Sequence, residues 1–141
     1  MPTASSTLHP VYAVVGPDRF LRHEALVGIL RTLGPETDSL GPTRVDGENA
    51  PLADILDEVR TPSLLGGRRV VVVDDADDCI TANRAALERY CSAPAEGGCL
   101  ILLCDSMPKT TRLRKIIAAG GAVVETDALK GRAVVVWIVR R

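Results

Sequence analysis

Aromatic side chains are scarce in this chain: one Trp, two Tyr and one Phe, or 3% of 141 residues. So thin a supply argues against a surface that stacks the bases of single-stranded nucleic acid. Charge is nearly balanced, with 17 basic against 18 acidic residues and a net charge of −1. No overall field therefore draws the chain to DNA or to an anionic membrane. No run approaches the ~20 apolar residues that a membrane helix needs. Residues 1–10 lack a basic start followed by an apolar stretch, so they do not read as a signal peptide. They are expected to form a disordered tail. Four cysteines are present, Cys79, Cys91, Cys99 and Cys104, with no C-x-x-C pair among them. That spacing gives a zinc site little support, and reduced, mostly buried thiols in a cytoplasmic protein are the better reading. No cofactor or metal is expected.

What is present is aliphatic. Hydrophobic residues make up 46% of the chain and charged ones 25%, which is enough for one domain with a sizeable core. Val11–Val15 reads as a buried strand ended by Gly16-Pro17. Asp18 is placed to cap a helix with Phe20, Leu21, Ala25, Leu26, Ile29, Leu30 and Leu33 on one face, stopped by Gly34-Pro35. Residues 43–45 form a brief strand, and Asp46-Gly47 turns the chain. Pro51 suits the first helical position, followed by Leu52, Ile55, Leu56 and Val59 at helical spacing. Arg69–Asp74 is a strand with four valines. Thr81 is expected to cap a third helix reaching Cys91. Residues 99–104 form an apolar strand, 110–119 a fourth helix and Ala122–Glu125 a fifth strand.

Five continuous apolar strands alternating with helices predict an α/β fold. Its five-stranded, mostly parallel sheet would be covered by helices on both faces. The domain is expected to span residues 11–128. Residues 129–141, with Val134, Val135, Trp137 and Ile138 apolar, read as the start of another helix belonging to a truncated next domain.

Ligands of such sheets bind at the carboxyl ends of the strands. A P-loop would follow the first strand, but G-x-x-x-x-G-K-[ST] is not met there. Gly16 matches, whereas Leu21, Arg22 and His23 stand where glycine, lysine and a hydroxyl are needed, and Pro17 removes a backbone N–H. An ordinary strand-to-helix turn is the better reading. Asp74 and Asp75 end a strand in the manner of a Walker B pair. Acids so placed hold Mg²⁺ when a phosphate shares the site, so a small NTPase is the alternative they leave open. A solvated, helix-capping acidic turn with Asp77 and Asp78 is preferred. Lys109, Arg112, Arg114 and Lys115 form a basic cluster that is either a solvated helix face or a nucleic-acid contact. Neither His9 nor His23 has a nucleophile beside it, and no catalytic constellation is found.

The remaining feature is Thr61-Pro62-Ser63-Leu64-Leu65-Gly66-Gly67, two adjacent leucines on a turn ahead of an apolar strand. Read alone, they tuck under their own sheet or fill a partner's pocket. Together with Val11-Tyr12-Ala13-Val14-Val15-Gly16-Pro17-Asp18, Val45-Asp46-Gly47, Arg68-Arg69-Val70-Val71-Val72-Val73, Lys109-Thr110-Thr111-Arg112-Leu113, Ala122-Val123-Val124-Glu125, Leu129-Lys130 and Trp137-Ile138, they bring out a resemblance. Over residues 11–139 the chain resembles the amino-terminal domain of the delta subunit of bacterial DNA polymerase III, the clamp loader subunit that opens the sliding clamp.

The resemblance implies a RecA-like domain of the AAA+ type, a P-loop NTPase fold with a degenerate P-loop that binds no ATP. It implies contact with the beta sliding clamp through Pro62, Ser63, Leu64 and Leu65. It also implies assembly with the tau/gamma and delta prime subunits, and DNA met only indirectly. Such a subunit has no catalytic centre of its own but serves a DNA-directed DNA polymerase, a nucleotidyltransferase. Many relatives carry an aromatic residue where this chain has Leu65. The family continues into lid and collar domains beyond the point matching Arg141.

Overall fold

The computed structural model describes residues 9–34, 41–63, 66–126 and 138–139. Of the last two residues of the expected tail over residues 1–10, the His9 N–H donates to the Tyr12 hydroxyl at 3.3 Å and the Pro10 carbonyl accepts from the Leu100 N–H at 3.0 Å. Residues 1–8 of that tail lie outside the described set, as does the leucine pair. So does most of the expected last helix. Within it, β1 (Val11–Val15), β2 (Thr43–Asp46), β3 (Arg69–Asp74), β4 (Gly98–Cys104) and β5 (Ala122–Glu125) run parallel, in the order β2-β3-β4-β1-β5. The five strands and their parallel pairing are as expected. A sixth strand, β6 (Ile138–Val139), adds antiparallel to β5. These two residues were expected to be helical. Both are β-branched, and pairing with the open edge of β5 satisfies backbone groups that a helix would have satisfied within itself.

Alternation along each strand divides the core in two. Val11, Ala13, Val15, Val71, Val73, Leu100, Leu102, Cys104 and Val123 face one side. Tyr12, Val14, Val70, Val72, Cys99, Ile101, Leu103, Ala122 and Val124 face the other. Because both sides are dry, β3 and β4 read as unbroken apolar runs. The edge strand β2 keeps the half-polar pattern, with Arg44 and Asp46 exposed.

Helix α1 (Arg19–Leu33) packs Ala25, Leu26, Ile29 and Leu33 on the second face. Helices α2 (Leu52–Arg60), α3 (Asp77–Ala82), α4 (Arg84–Ser92) and α5 (Arg112–Gly120) cover the first. Pro51 is the N-cap residue of α2 rather than its first helical residue. The single helix expected from Thr81 to Cys91 is two. Thr81 lies inside α3, which begins at Asp77, and the chain leaves helical geometry at Asn83. The Asn83 side-chain amide joins the Asn83 N–H on the Cys79 carbonyl, each at 3.0 Å, at the end of α3.

Candidate functional site

The carboxyl ends of β1, β3, β4 and β5 meet at one end of the sheet. Asp18 caps α1 there, its carboxylate accepting from the N–H groups of Phe20 at 2.8 Å and Leu21 at 3.1 Å. Those amides are what a helix N-terminus offers an anion, and here a side chain of the same chain takes them. Arg22, at the position of a P-loop lysine, is buried at 4% exposure. Its guanidinium donates to the Gly16 carbonyl and to Asp105 at 2.7 Å, and lies 3.6 Å from Asp75. Arg19 reaches the same Asp75 oxygen at 3.0 Å.

Asp75 holds a positive φ of 50°, a left-handed conformation that Asp tolerates better than most residues. Asp74 accepts two bonds from Arg44, at 3.1 and 2.6 Å, and this hydrogen bonding raises the Arg44 pKa further above its usual range. Asp77 accepts from the Asp105 and Ser106 amides at the end of β4. The acidic turn is therefore mostly engaged rather than solvated. Arg19, Arg22, His23, Arg44, Asp74 and Asp75 line a cavity of about 190 Å³ in which the acids already carry guanidinium partners. No cluster of metal-ligating side chains occurs among the described residues.

The expected basic cluster comes apart. Arg114 is buried at 6% exposure, donating to the Met107 carbonyl at 2.9 Å and to Glu125. Arg112 is exposed and lies 3.9 Å from Glu88. Lys109 and Lys115 are exposed. A signal for the two inward arginines existed in the sequence. Arg22 shares the helical face of Ala25, Leu26 and Ile29, and Arg114 stands three residues before Ile117.

At the opposite end of the sheet, the chain passes from α2 into β3. Thr61 and Pro62 are exposed, as are Gly66 and Gly67. The Ser63 hydroxyl donates to the Gly66 carbonyl at 2.9 Å, and the Ser63 carbonyl accepts from the Gly66 N–H at 3.4 Å. Gly66 and Gly67 have φ of 86° and 87°, a conformation glycine adopts without strain. These bonds bracket Leu64 and Leu65, which lie outside the described residues.

The base of this turn is firmly held. Thr61 Oγ1 donates to the Asp57 carbonyl at 2.6 Å. The Arg69 N–H donates to Gly97 at 2.9 Å, and the Arg68 guanidinium to the Gly98 carbonyl at 3.1 Å. A methyl group on Gly98 would stand 2.6 Å from the Val59 carbonyl oxygen, so the end of α2 sits directly on the start of β4.

The cysteines are buried and free. Burial pushes the thiols of Cys91, Cys99 and Cys104 up to about 12, leaving them inert at neutral pH.

An open, mostly parallel α/β sheet covered on both faces, with its carboxyl end closed by internal ion pairs, places the chain among doubly wound α/β proteins. The family model described as DNA polymerase III, delta subunit matches residues 12–137, and the chain belongs to that family. DNA polymerase III subunit delta of Bacillus subtilis (strain 168) is 26% identical over 136 residues, covering 89% of this chain and 39% of the relative. The solved structure of the Bacillus subtilis DNA clamp loader delta protein (YqeN) superposes with a TM-score of 0.70 at 25% identity, covering 86% of this chain and 39% of that one. The chain thus spans about two fifths of the length of these relatives. No described helix is long and apolar enough to cross a membrane.

Proposed function

We propose that this chain is the clamp-engaging, non-catalytic part of a DNA polymerase III clamp loader, a RecA-like domain of the AAA+ type whose P-loop has degenerated. The observation that carries this reading is the turn at residues 61–67. Exposed backbone on both sides of an apolar pair is mounted on a base tied to two strands and a helix. Pro62, Ser63, Leu64 and Leu65 insert into a pocket of the beta sliding clamp. Two leucines moved from water into such a pocket supply about 3–6 kcal/mol, concentrated as a binding hot spot. A clamp whose ring interface is strained toward opening is favoured if the contact fits it better, because a ligand shifts an equilibrium only by differential affinity.

The carboxyl end of the sheet supports the absence of an ATP role. The Asp18 carboxylate holds the α1 amides that phosphate would need, and Arg22 ties down the turn. The rival reading, a magnesium-dependent NTPase using Asp74 and Asp75, would have to break their pairs with Arg44, Arg19 and Arg22. The rival nucleic-acid face keeps only Lys109 and Lys115 clear of the acid partners described above. In the cytoplasm the domain acts with the tau/gamma and delta prime subunits, meets DNA only through the assembly, and serves the polymerase holoenzyme without a catalytic group of its own.

Surface plasmon resonance against immobilised beta clamp tests the reading. Leu64→Ala with Leu65→Ala is expected to abolish binding while circular dichroism and the thermal midpoint stay unchanged. Unchanged clamp affinity in that double variant, or measurable Mg-ATP binding by calorimetry in the unaltered chain, would overturn it.

A further inference from the structure

Arg22, Arg44, Arg69 and Arg114 each have a close carboxylate, as Arg69 has Glu58 at 3.3 Å. The outer side of α4 and α5 is different. Glu88 is the sole acid of these two helices, which also carry Arg84, Arg89, Arg112, Arg114 and Lys115. Arg114 is turned inward, and the other four cations are exposed. Arg112 is 81% exposed, and Glu88 stands 3.9 Å from it, beyond hydrogen-bond reach. Arg84, Arg89 and Lys115 have no ion pair among the described residues. In a chain of net charge −1, positive charge is therefore concentrated on this side.

The same surface is concave. Residues 85, 88, 89 and 92 share one face of α4, and with Arg112 and Ile116 of α5 they line a groove of about 580 Å³. Arg89 stands on one wall and Arg112 on the other. Between them, exposed Ala85 and half-buried Ile116 supply apolar surface, Ile116 being packed against the core beneath.

We propose that the groove between α4 and α5 is a docking site for an acidic segment of a partner protein, one with an aliphatic side chain between its carboxylates. Carboxylates match the planar forks of Arg89 and Arg112, which take them bidentately, and the aliphatic side chain covers Ala85 and Ile116. Arg112 turns to such a ligand at little cost, because a loose, exposed contact with Glu88 holds it weakly. Duplex DNA fits the groove less well. The Glu88 carboxylate lines it and repels phosphate, and a phosphodiester backbone has nothing to set on the apolar surface. The groove shares no residue with the turn at 61–67, so the proposal stands apart from the clamp-binding reading.

Fluorescence anisotropy of a labelled peptide repeating Asp-Asp-Leu, titrated with the unaltered chain at low salt, is the test. Peptides repeating Asn-Asn-Leu and Asp-Asp-Ser are the controls. The acidic leucine peptide is expected to bind, less tightly as salt rises, and each control to bind several-fold more weakly. Arg89→Gln and Arg112→Gln are each expected to weaken binding by about three- to fivefold, with the thermal midpoint unchanged because both side chains are exposed. Glu88→Gln is expected to tighten binding by about twofold, since it removes the competing acid. No binding by the unaltered chain at low salt overturns the proposal. Equal binding of the Asn-Asn-Leu peptide, or unchanged affinity in both arginine variants, overturns it too. Duplex DNA that displaces the peptide, and is itself weakened by Arg89→Gln, would assign the groove to nucleic acid and overturn it as well.

Discussion

At the carboxyl end of the sheet, Arg22, Arg44 and Arg114 are each held by acids of the same chain. At the amino end, the turn between α2 and β3 leaves Thr61, Pro62, Gly66 and Gly67 exposed over a base tied to its neighbours. The strands join both ends rigidly, yet they are prepared for different things. Guanidiniums and carboxylates already matched to each other gain little from a charged ligand, which would first have to separate them. A ligand would therefore meet matched ion pairs at one end of the sheet and exposed backbone at the other.

The largest expected effect on stability tests the closed end. Arg22→Met removes a buried guanidinium from the Gly16 carbonyl, Asp75 and Asp105. Denaturant unfolding should show a loss of about 2–3 kcal/mol, less than for a fully buried pair because Asp105 remains solvated. No loss would mean that these pairs do not close the site. Gly47→Ala comes next. Its added methyl would stand 2.8 Å from the carbonyl oxygens of both Asp74 and Asp75. A cost of about 1–3 kcal/mol is expected for such crowding, read as a lower urea midpoint, with the clamp binding proposed for the opposite end retained.

Alkaline pH acts on the core that both ends share. The buried thiols titrate near 9.0 when exposed and at about 12 when folded. A raised folded pKa means that the unfolded chain gives up protons first. The thiol contribution is therefore complete below pH 9 and is lost as pH rises from there toward 12. The thermal midpoint should fall across that window, and a constant midpoint would contradict the burial of these residues. The smallest effect is expected for Lys109→Glu with Lys115→Glu. Stability should change by less than about 0.5 kcal/mol, as for open surface sites, with DNA affinity unaltered. A salt-dependent loss of DNA binding would show that the carboxyl end still offers a charged surface.

Much of the fold was legible in the residues themselves. The runs at Val11–Val15, Arg69–Asp74 and Gly98–Cys104 have too little polar surface to be anything but doubly covered strands. Asp18 capped its helix as its position suggested. The split at Asn83 was not legible, because it is a change of backbone geometry at one residue, φ −130° and ψ 32°, inside a run whose helical spacing is otherwise unbroken. The strand at Ile138–Val139 was missed for a related reason. Its helical spacing was plausible locally, but an unpaired β5 edge lay within reach.

The sequence by itself determined the α/β class, the order of elements, the absence of a P-loop pattern after β1 and the turn chemistry of Pro62, Gly66 and Gly67. Each of these rests on local periodicity, on backbone conformation or on the presence of a functional group. Only the tertiary structure decided that Arg22 and Arg114 point inward and that Asp74 and Asp75 are matched by arginines from α1 and β2. It alone brought Glu58 to Arg69 across the base of the turn. Charge pairing depends on distances between segments far apart in the chain, and those distances exist only once the sheet has assembled.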